Sequence, residues 1–209
     1  MEKAIWKQAV IWMMAGIFFS VIIENADAHQ GVLKKEDRGT SVKELQEVLI
    51  NMGYLHSDAT GYYGPLTDQA VQQFQNDFGL GVDGISGANT LRKVEDVKQM
   101  AQTVHGEARG ESFEGQVAVA AVIRNRLNSS QFPETVEEVI TERNAFTAVQ
   151  DGQYYLEPNA AAYQAVREAW RGRDPSQGSH YYYNPVIATS DWILTRTTKL
   201  QIGKHVFAN

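Results

Sequence analysis

The chain has 209 residues, with 19 lysines and arginines against 25 aspartates and glutamates, for a formal net charge of −6. An acidic chain with no basic block is a poor match for a polyanion, which argues against nucleic acid as a partner. There is no cysteine, so a disulfide framework and thiolate metal sites are excluded and the fold must rest on packed cores.

Lys3 and Lys7 lead into an almost unbroken apolar run from Ala9 to Ile23, and Ala26-Asp27-Ala28 has the small-x-small pattern of a cleavage site. The run falls short of the about 20 residues needed to cross a bilayer. Residues 1–28 are therefore expected to be a removable export signal, with an uncleaved anchor as the alternative. No stable membrane insertion is expected after cleavage, and the remaining length suits two small domains.

The first of these, residues 35–95, contains a repeat. Gly61-Tyr62-Tyr63-Gly64-Pro65-Leu66-Thr67 and Gly84-Ile85-Ser86-Gly87-Ala88-Asn89-Thr90 both read G-x-x-G-x-x-T. Each glycine pair suits a tight turn and each threonine can cap the helix that follows. Val42, Leu45, Leu49 and Met52 recur at helical spacing, as do Ala70, Val71, Phe74 and Phe78, so a compact three-helix domain is expected. Leu45-Gln46…Gly53-Tyr54, Phe74-Gln75…Gly79-Leu80 and Asp83-Gly84…Gly87…Thr90 resemble, in order and spacing, the peptidoglycan-binding domain found on many wall hydrolases. The resemblance implies noncovalent peptidoglycan binding. Tyr54, Tyr62, Tyr63 and Asp83 are the contact candidates, against the alternative that they pack or cap.

The second half, residues 97–209, opens on a helical, charged stretch from Val94 to Gln102, with no Pro/Ser-rich tract to separate it from the first. Helices are expected over Phe113 to Leu127, Thr135 to Arg143 and Asn159 to Arg171, the last capped by Asn159 and stopped by Gly172. After Gly172 the β-branched and aromatic residues suggest loops and short extended segments. Between the Val94–Gln102 stretch and the helix from Phe113 lies His105-Gly106-Glu107-Ala108-Arg109-Gly110-Glu111, two carboxylates, an imidazole and a guanidinium within seven residues. Such groups are costly to bury unless they pair or do chemistry. A polar interhelical turn is the plain alternative.

Glu107 should fall near the C-terminal end of its helix, where the dipole and the apolar neighbours Val104 and Ala108 disfavour a bare carboxylate. That suits a proton donor. Glu111 precedes the next helix, where Ser112 can cap and an anion is favoured, so it reads as a supporting anion. Arg109 could pair with Glu111 or reach a substrate carboxylate, and pairing is the simpler expectation. His105 reads as a hydrogen-bonding neighbour of the site. No metal ligand set is recognised, since H-E-x-x-H is absent, and no cofactor is expected. Thr147, Tyr182, Tyr183 and Asn184 could line a sugar cleft, with one of the two tyrosines facing inward and the other outward. Trp192 fits either core or cleft. Asn125 and Arg126 follow a buried helix face and could brace the site from behind.

The heptapeptide, with Glu114-Gly115-Gln116-Val117-Ala118, Asn125-Arg126, Phe146-Thr147-Ala148-Val149, Tyr182-Tyr183-Asn184-Pro185 and Gly203-Lys204-His205-Val206-Phe207, resembles the SleB-type spore cortex-lytic cell-wall hydrolases. Thr197 departs from the pattern, standing where many members have proline. The resemblance implies a mainly α (α+β), lysozyme-like catalytic domain that cleaves between N-acetylmuramic acid and N-acetylglucosamine. It also implies a lytic transglycosylase outcome and Glu107 as the single acid and base. Peptidoglycan of spore cortex or vegetative wall is the implied partner, and the implied location is secreted and wall- or cortex-associated. No residue identifies a regulatory protein partner. A wall amidase or peptidase, or a non-catalytic wall-binding protein, remains the alternative.

Overall fold

A computed structural model describes residues 31–209, so the export-signal expectation for residues 1–28 lies outside the described residues. The described chain is mainly helical with one small sheet. In the first half, α1 (Thr40–Asn51) buries Val42, Leu45, Val48 and Leu49, and α2 (Pro65–Asp77) buries Ala70, Val71 and Phe74, all within one apolar cluster. The glycine-rich loops between the helices are held from inside by the two repeated glutamines. The Gln46 amide donates to the Tyr62 carbonyl (2.9 Å) and the Thr67 hydroxyl (2.8 Å), while the Gly61 N–H donates to its Oε1 at 2.8 Å. Gln75 repeats the arrangement, donating to Asp83 Oδ1, the Ile85 carbonyl and the Thr90 hydroxyl, and accepting from the Asp83 and Gly84 N–H groups. Both side chains are buried, which a carboxamide tolerates only when its donors and acceptors are met.

The threonines of the repeat are not caps. Gly64 and Gly87 occupy the cap positions with no side-chain bond, and Thr67 and Thr90 sit inside the following helices as acceptors for the glutamines.

The third helix, α3 (Ala88–Ala108), is a single run of 21 residues that passes straight through the expected domain boundary near residues 95–97. Its first turn carries Thr90 into the repeat, and its buried Val97, Met100, Ala101 and Val104 pack with α4 (Phe113–Leu127), α5 (Val136–Thr141) and α7 (Ala160–Trp170). α4 is buried from Gly115 through Ile123, as befits a small-residue run at the centre of a helical domain. Its start is set by Ser112, which accepts the Gly115 N–H at 3.2 Å. α5 stops earlier than its sequence pattern suggests, because Glu142 turns to extended backbone. α7 has the expected Asn159 cap, accepting from the Ala162 N–H at 3.0 Å, and ends at Gly172 with φ +103°.

α7 also closes the junction between the halves. Arg167 donates to the Met52 carbonyl at 2.6 Å, Arg171 meets Asp77 at 3.2 Å, and Trp170 stacks on Phe78 with centroids 5.1 Å apart. A cavity of about 560 Å³ opens along this junction, and one of about 460 Å³ lies between α3 and α5 beside Trp170. The C-terminal part supplies a four-residue helix α6 (Thr147–Gln150), a further short helix α8 (Asp191–Leu194), and strands β1 (Tyr181–Tyr183), β2 (Thr198–Ile202) and β3 (His205–Ala208) in the antiparallel order β1-β3-β2. Thr197 extends this sheet: its N–H donates to the Asn209 carbonyl at 2.9 Å and the Asn209 N–H donates back at 3.0 Å. Proline there would lack the donor.

Candidate active site

Glu107 is the penultimate residue of α3 and partly buried. Its carboxylate does not lie in the apolar pocket that its neighbours suggested. Oε1 accepts the Ala148 N–H at 2.6 Å and the Thr147 hydroxyl at 3.0 Å, and Oε2 accepts the Tyr182 hydroxyl at 2.8 Å. The three donors come from α6 and β1, segments distant from α3 in sequence. A carboxylate has about four lone-pair positions, so both places on Oε1 are filled while one on Oε2 stays open.

Two local features make this cradle. Gly106 lies inside α3, not at a joint, and a β-carbon there would stand 2.5 Å from the Ala148 β-carbon. Its hydrogen lets α6 approach closely enough for the Ala148 N–H to reach Glu107. Strand alternation does the rest. Tyr182 faces His205 and Phe207, with ring centroids 5.0 and 5.9 Å away, while Tyr181 meets Trp192 edge-on at 5.1 Å. Burial, then the adjacent Glu107 carboxylate, push the Tyr182 hydroxyl well above the ordinary phenol range, so it stays a donor. His205 is buried with Nδ1 unpartnered among the described residues; burial lowers its pKa, against the opposing pull of Glu111 and Glu107.

The structure thus brings Glu107, Thr147 and Tyr182 together and places the other expected residues elsewhere. Arg109 does not pair with Glu111: it is exposed, with Nη1 3.4 Å from the Gly106 carbonyl. Glu111 instead accepts the Lys204 N–H at 3.1 Å, and its carboxylate occupies the space a side chain at Gly203 would fill. Its contacts are with the β2–β3 turn. His105 is not bonded to Glu107; burial lowers its pKa, then Arg109, while Asn159 and Glu157 oppose. Asn125 donates to Asp174 (3.0 Å) and the Ser179 carbonyl (3.1 Å), so it braces the loop before β1. Tyr183 lies on the strand face opposite Tyr182, and Asn184 accepts the Val186, Ile187 and Ala188 N–H groups in a turn. Trp192 is half-exposed beside Tyr181 and belongs to neither core nor cradle.

Two of the four contact candidates of the first half, Tyr63 and Tyr54, are buried. Tyr63 is fully buried and donates to the Gly84 carbonyl at 2.8 Å. Tyr54 is buried and donates to Asp77 at 2.7 Å. Asp83 is exposed and accepts from Gln75 and from the Ile85 N–H, which fixes its turn. Of the four, Tyr62 retains a partly exposed ring, under Arg38 at 4.0 Å and with its hydroxyl donating to Glu36.

Sequence reasoning missed the Ala148 amide, since a backbone donor leaves no residue-type signal, and it missed His205 as a wall of the site. The glycine between His105 and Glu107 was the available clue, because glycine inside a helix costs about 1 kcal/mol against alanine and calls for a packing reason.

Residues 110–208 match the family described as Cell Wall Hydrolase, and residues 38–94 match the Putative peptidoglycan binding domain. The first match begins three residues after Glu107. A spore cortex-lytic enzyme of Bacillus cereus is 38% identical over 255 residues, taking in 99% of this chain and 98% of the relative. The solved catalytic domain of the Bacillus cereus SleB protein is 55% identical, covers 55% of this chain and 89% of that one, and superposes with a TM-score of 0.52. The catalytic domain of a germination-specific lytic transglycosylase, SleB of Bacillus anthracis, gives the same identity and TM-score, covering 55% of this chain and 93% of that one. With a relative this similar along nearly its full length, the chain belongs to the family of spore cortex-lytic enzymes.

Proposed function

We propose that this enzyme is a lytic transglycosylase that cuts peptidoglycan between N-acetylmuramic acid and N-acetylglucosamine, with Glu107 as its one acid and base. The observation that carries this reading is the allocation of the two carboxylates in the H-G-E-A-R-G-E motif. Glu107 has an open lone pair on Oε2, whereas Glu111 is committed to the Gly203–Lys204 turn. A hydrolytic muramidase needs a second carboxylate to activate water or to bond the sugar.

Protonated on Oε2, Glu107 donates to the glycosidic oxygen as the bond to the muramic acid C1 breaks. The resulting carboxylate is the species that three donors favour. It then takes the proton from the muramic acid 6-hydroxyl as that oxygen bonds C1, which closes a 1,6-anhydro ring and resets the acid without consuming water. Thr147 and Tyr182 orient the carboxylate. Tyr183, Asn184 and the exposed Val186 and Ile187 are candidates for the rim of the glycan cleft.

The first half supplies peptidoglycan affinity through its exposed surface, where Tyr62 remains a contact candidate. Association with cell wall or cortex follows from the family, and export by the N-terminal segment is the route we infer. N-terminal sequencing that begins near His29 supports it; an intact Met1 in the membrane fraction refutes cleavage.

Digestion of purified sacculi followed by mass spectrometry tests the reaction. Fragments ending in 1,6-anhydromuramic acid, one water lighter than hydrolysed fragments, are expected from the wild type. Turnover by Glu107→Gln should fall about 10²-fold or more, since the amide keeps the shape and cannot give the proton. Because α3 serves both halves, binding is measured on full-length Glu107→Gln, which should pellet with sacculi without degrading them. Reducing ends from wild type would turn the assignment to a muramidase.

A further inference from the structure

We propose that Arg126 is the positioning residue that holds both walls of the Glu107 cradle in register. The inference rests on the reading of Glu107 as acid and base. The donors to Glu107 come from two separate segments, Thr147 and Ala148 at the start of α6 and Tyr182 in β1. Arg126, at the end of α4, reaches both. Its Nε donates to the His180 carbonyl at 2.8 Å, two residues before Tyr182. Its guanidinium carbon lies 5.0 Å from the centre of the Phe146 ring, the residue before Thr147. Phe146 in turn meets the Tyr182 ring with centroids 6.3 Å apart, so the two walls also touch each other.

The brace is buried. Arg126 is 4% exposed, no carboxylate lies within ion-pair distance among the described residues, and Nη1 has no hydrogen-bond partner there. A guanidinium without such partners is expensive to bury, and the faces of Phe132, Phe146 and Tyr181 offset part of that cost. The same three rings fix the guanidinium between α4, the residue before Thr147 and the strand that carries Tyr182, so its place sets theirs.

The test uses the full chain on purified sacculi, comparing Arg126→Met, Arg126→Lys and Phe146→Leu by kcat, KM and thermal melting. The methionine keeps the bulk and removes both the charge and the Nε donor. Its kcat should fall about 10-fold or more with KM within about twofold of wild type, because misplaced catalytic groups lose turnover while the glycan surface is untouched. Lysine keeps the cation without the planar donor and should recover part of kcat. Phe146→Leu loosens one wall alone and should lower kcat with KM held. If Arg126→Met does not fold, the lysine and Phe146→Leu enzymes decide the matter. Wild-type kcat per folded molecule in Phe146→Leu and in whichever arginine variants fold, with only the melting temperature lowered, would overturn the proposal. A fully active Glu107→Gln enzyme would instead place the error in the assignment of Glu107.

Discussion

Gly106 lies directly beneath Ala148. An added β-carbon at position 106 would meet the Ala148 β-carbon at 2.5 Å and the backbone of Gln153 at 3.4 Å. The packing of α6 on α3, and with it the 2.6 Å bond from the Ala148 N–H to Glu107, depends on that missing methyl group.

Gly106→Ala should therefore damage catalysis more than folding. Alanine favours the helix by about 1 kcal/mol over glycine, while overpacking costs about 1–3 kcal/mol, so the melting temperature changes little or falls modestly. Turnover should drop about 10-fold or more as α6 is pushed away from the carboxylate. A steady-state assay beside a melting curve checks this, and a variant with unchanged kcat contradicts the role given to the Ala148 amide.

Glu111 and Gly203 should behave as a structural pair. Glu111→Ala removes the acceptor for the Lys204 N–H, and Gly203→Ala puts a methyl group into the Glu111 carboxylate at a backbone φ of +56°. Both variants are expected to melt earlier, with turnover within about 10-fold of wild type, against the about 10²-fold or larger loss for Glu107→Gln. A loss in Glu111→Ala as deep as that of Glu107→Gln, with the fold intact, would make Glu111 a second catalytic carboxylate.

The repeat predicts a stability effect remote from the active site. Gln75→Leu strands the Asp83 and Gly84 N–H groups and leaves the Ile85 carbonyl and the Thr90 hydroxyl only their long 3.5 Å bond to each other. With about 1–3 kcal/mol for each buried group left unsatisfied, and some relaxation toward water, a loss of about 3 kcal/mol or more is expected. Urea denaturation measures it. A loss below 1 kcal/mol, on the order of one ordinary hydrogen bond, would mean that the loop is held by something other than Gln75.

The histidines give stability a pH dependence of definite sign. Burial is the leading cause that lowers the pKa of His105, His180 and His205 in the folded chain. The unfolded chain then binds protons more readily, so stability is full above the unfolded value of about 6.5 and falls as pH drops below it, down through the folded values. Melting temperatures between pH 7 and pH 5 should decline, and His205→Gln should flatten the decline. An equal slope in wild type and variant would show that His205 carries no part of it.

The sequence by itself determined the helical class, the caps at Ser112 and Asn159, the stop at Gly172 and the two-part order. These are legible because they are local: spacing, capping chemistry and glycine punctuation act over a few residues and leave their mark in residue type. Tertiary structure decided who meets Glu107. Ala148 contributes a backbone group that any residue but proline could supply, and Tyr182 was separated from Tyr183 by the phase of a three-residue strand set through pairing with β3. The same holds for Arg109 and Glu111, neighbours in sequence whose pairing is overridden by a turn more than 90 residues away. It holds also for Tyr63, which follows the Gln46-anchored turn into the core and donates to the Gly84 carbonyl, and for Tyr54, which packs edge-on to Phe74 and donates to Asp77. Long-range contacts of this kind depend on register and close approach, and neither is written in the identity of the residues that make them.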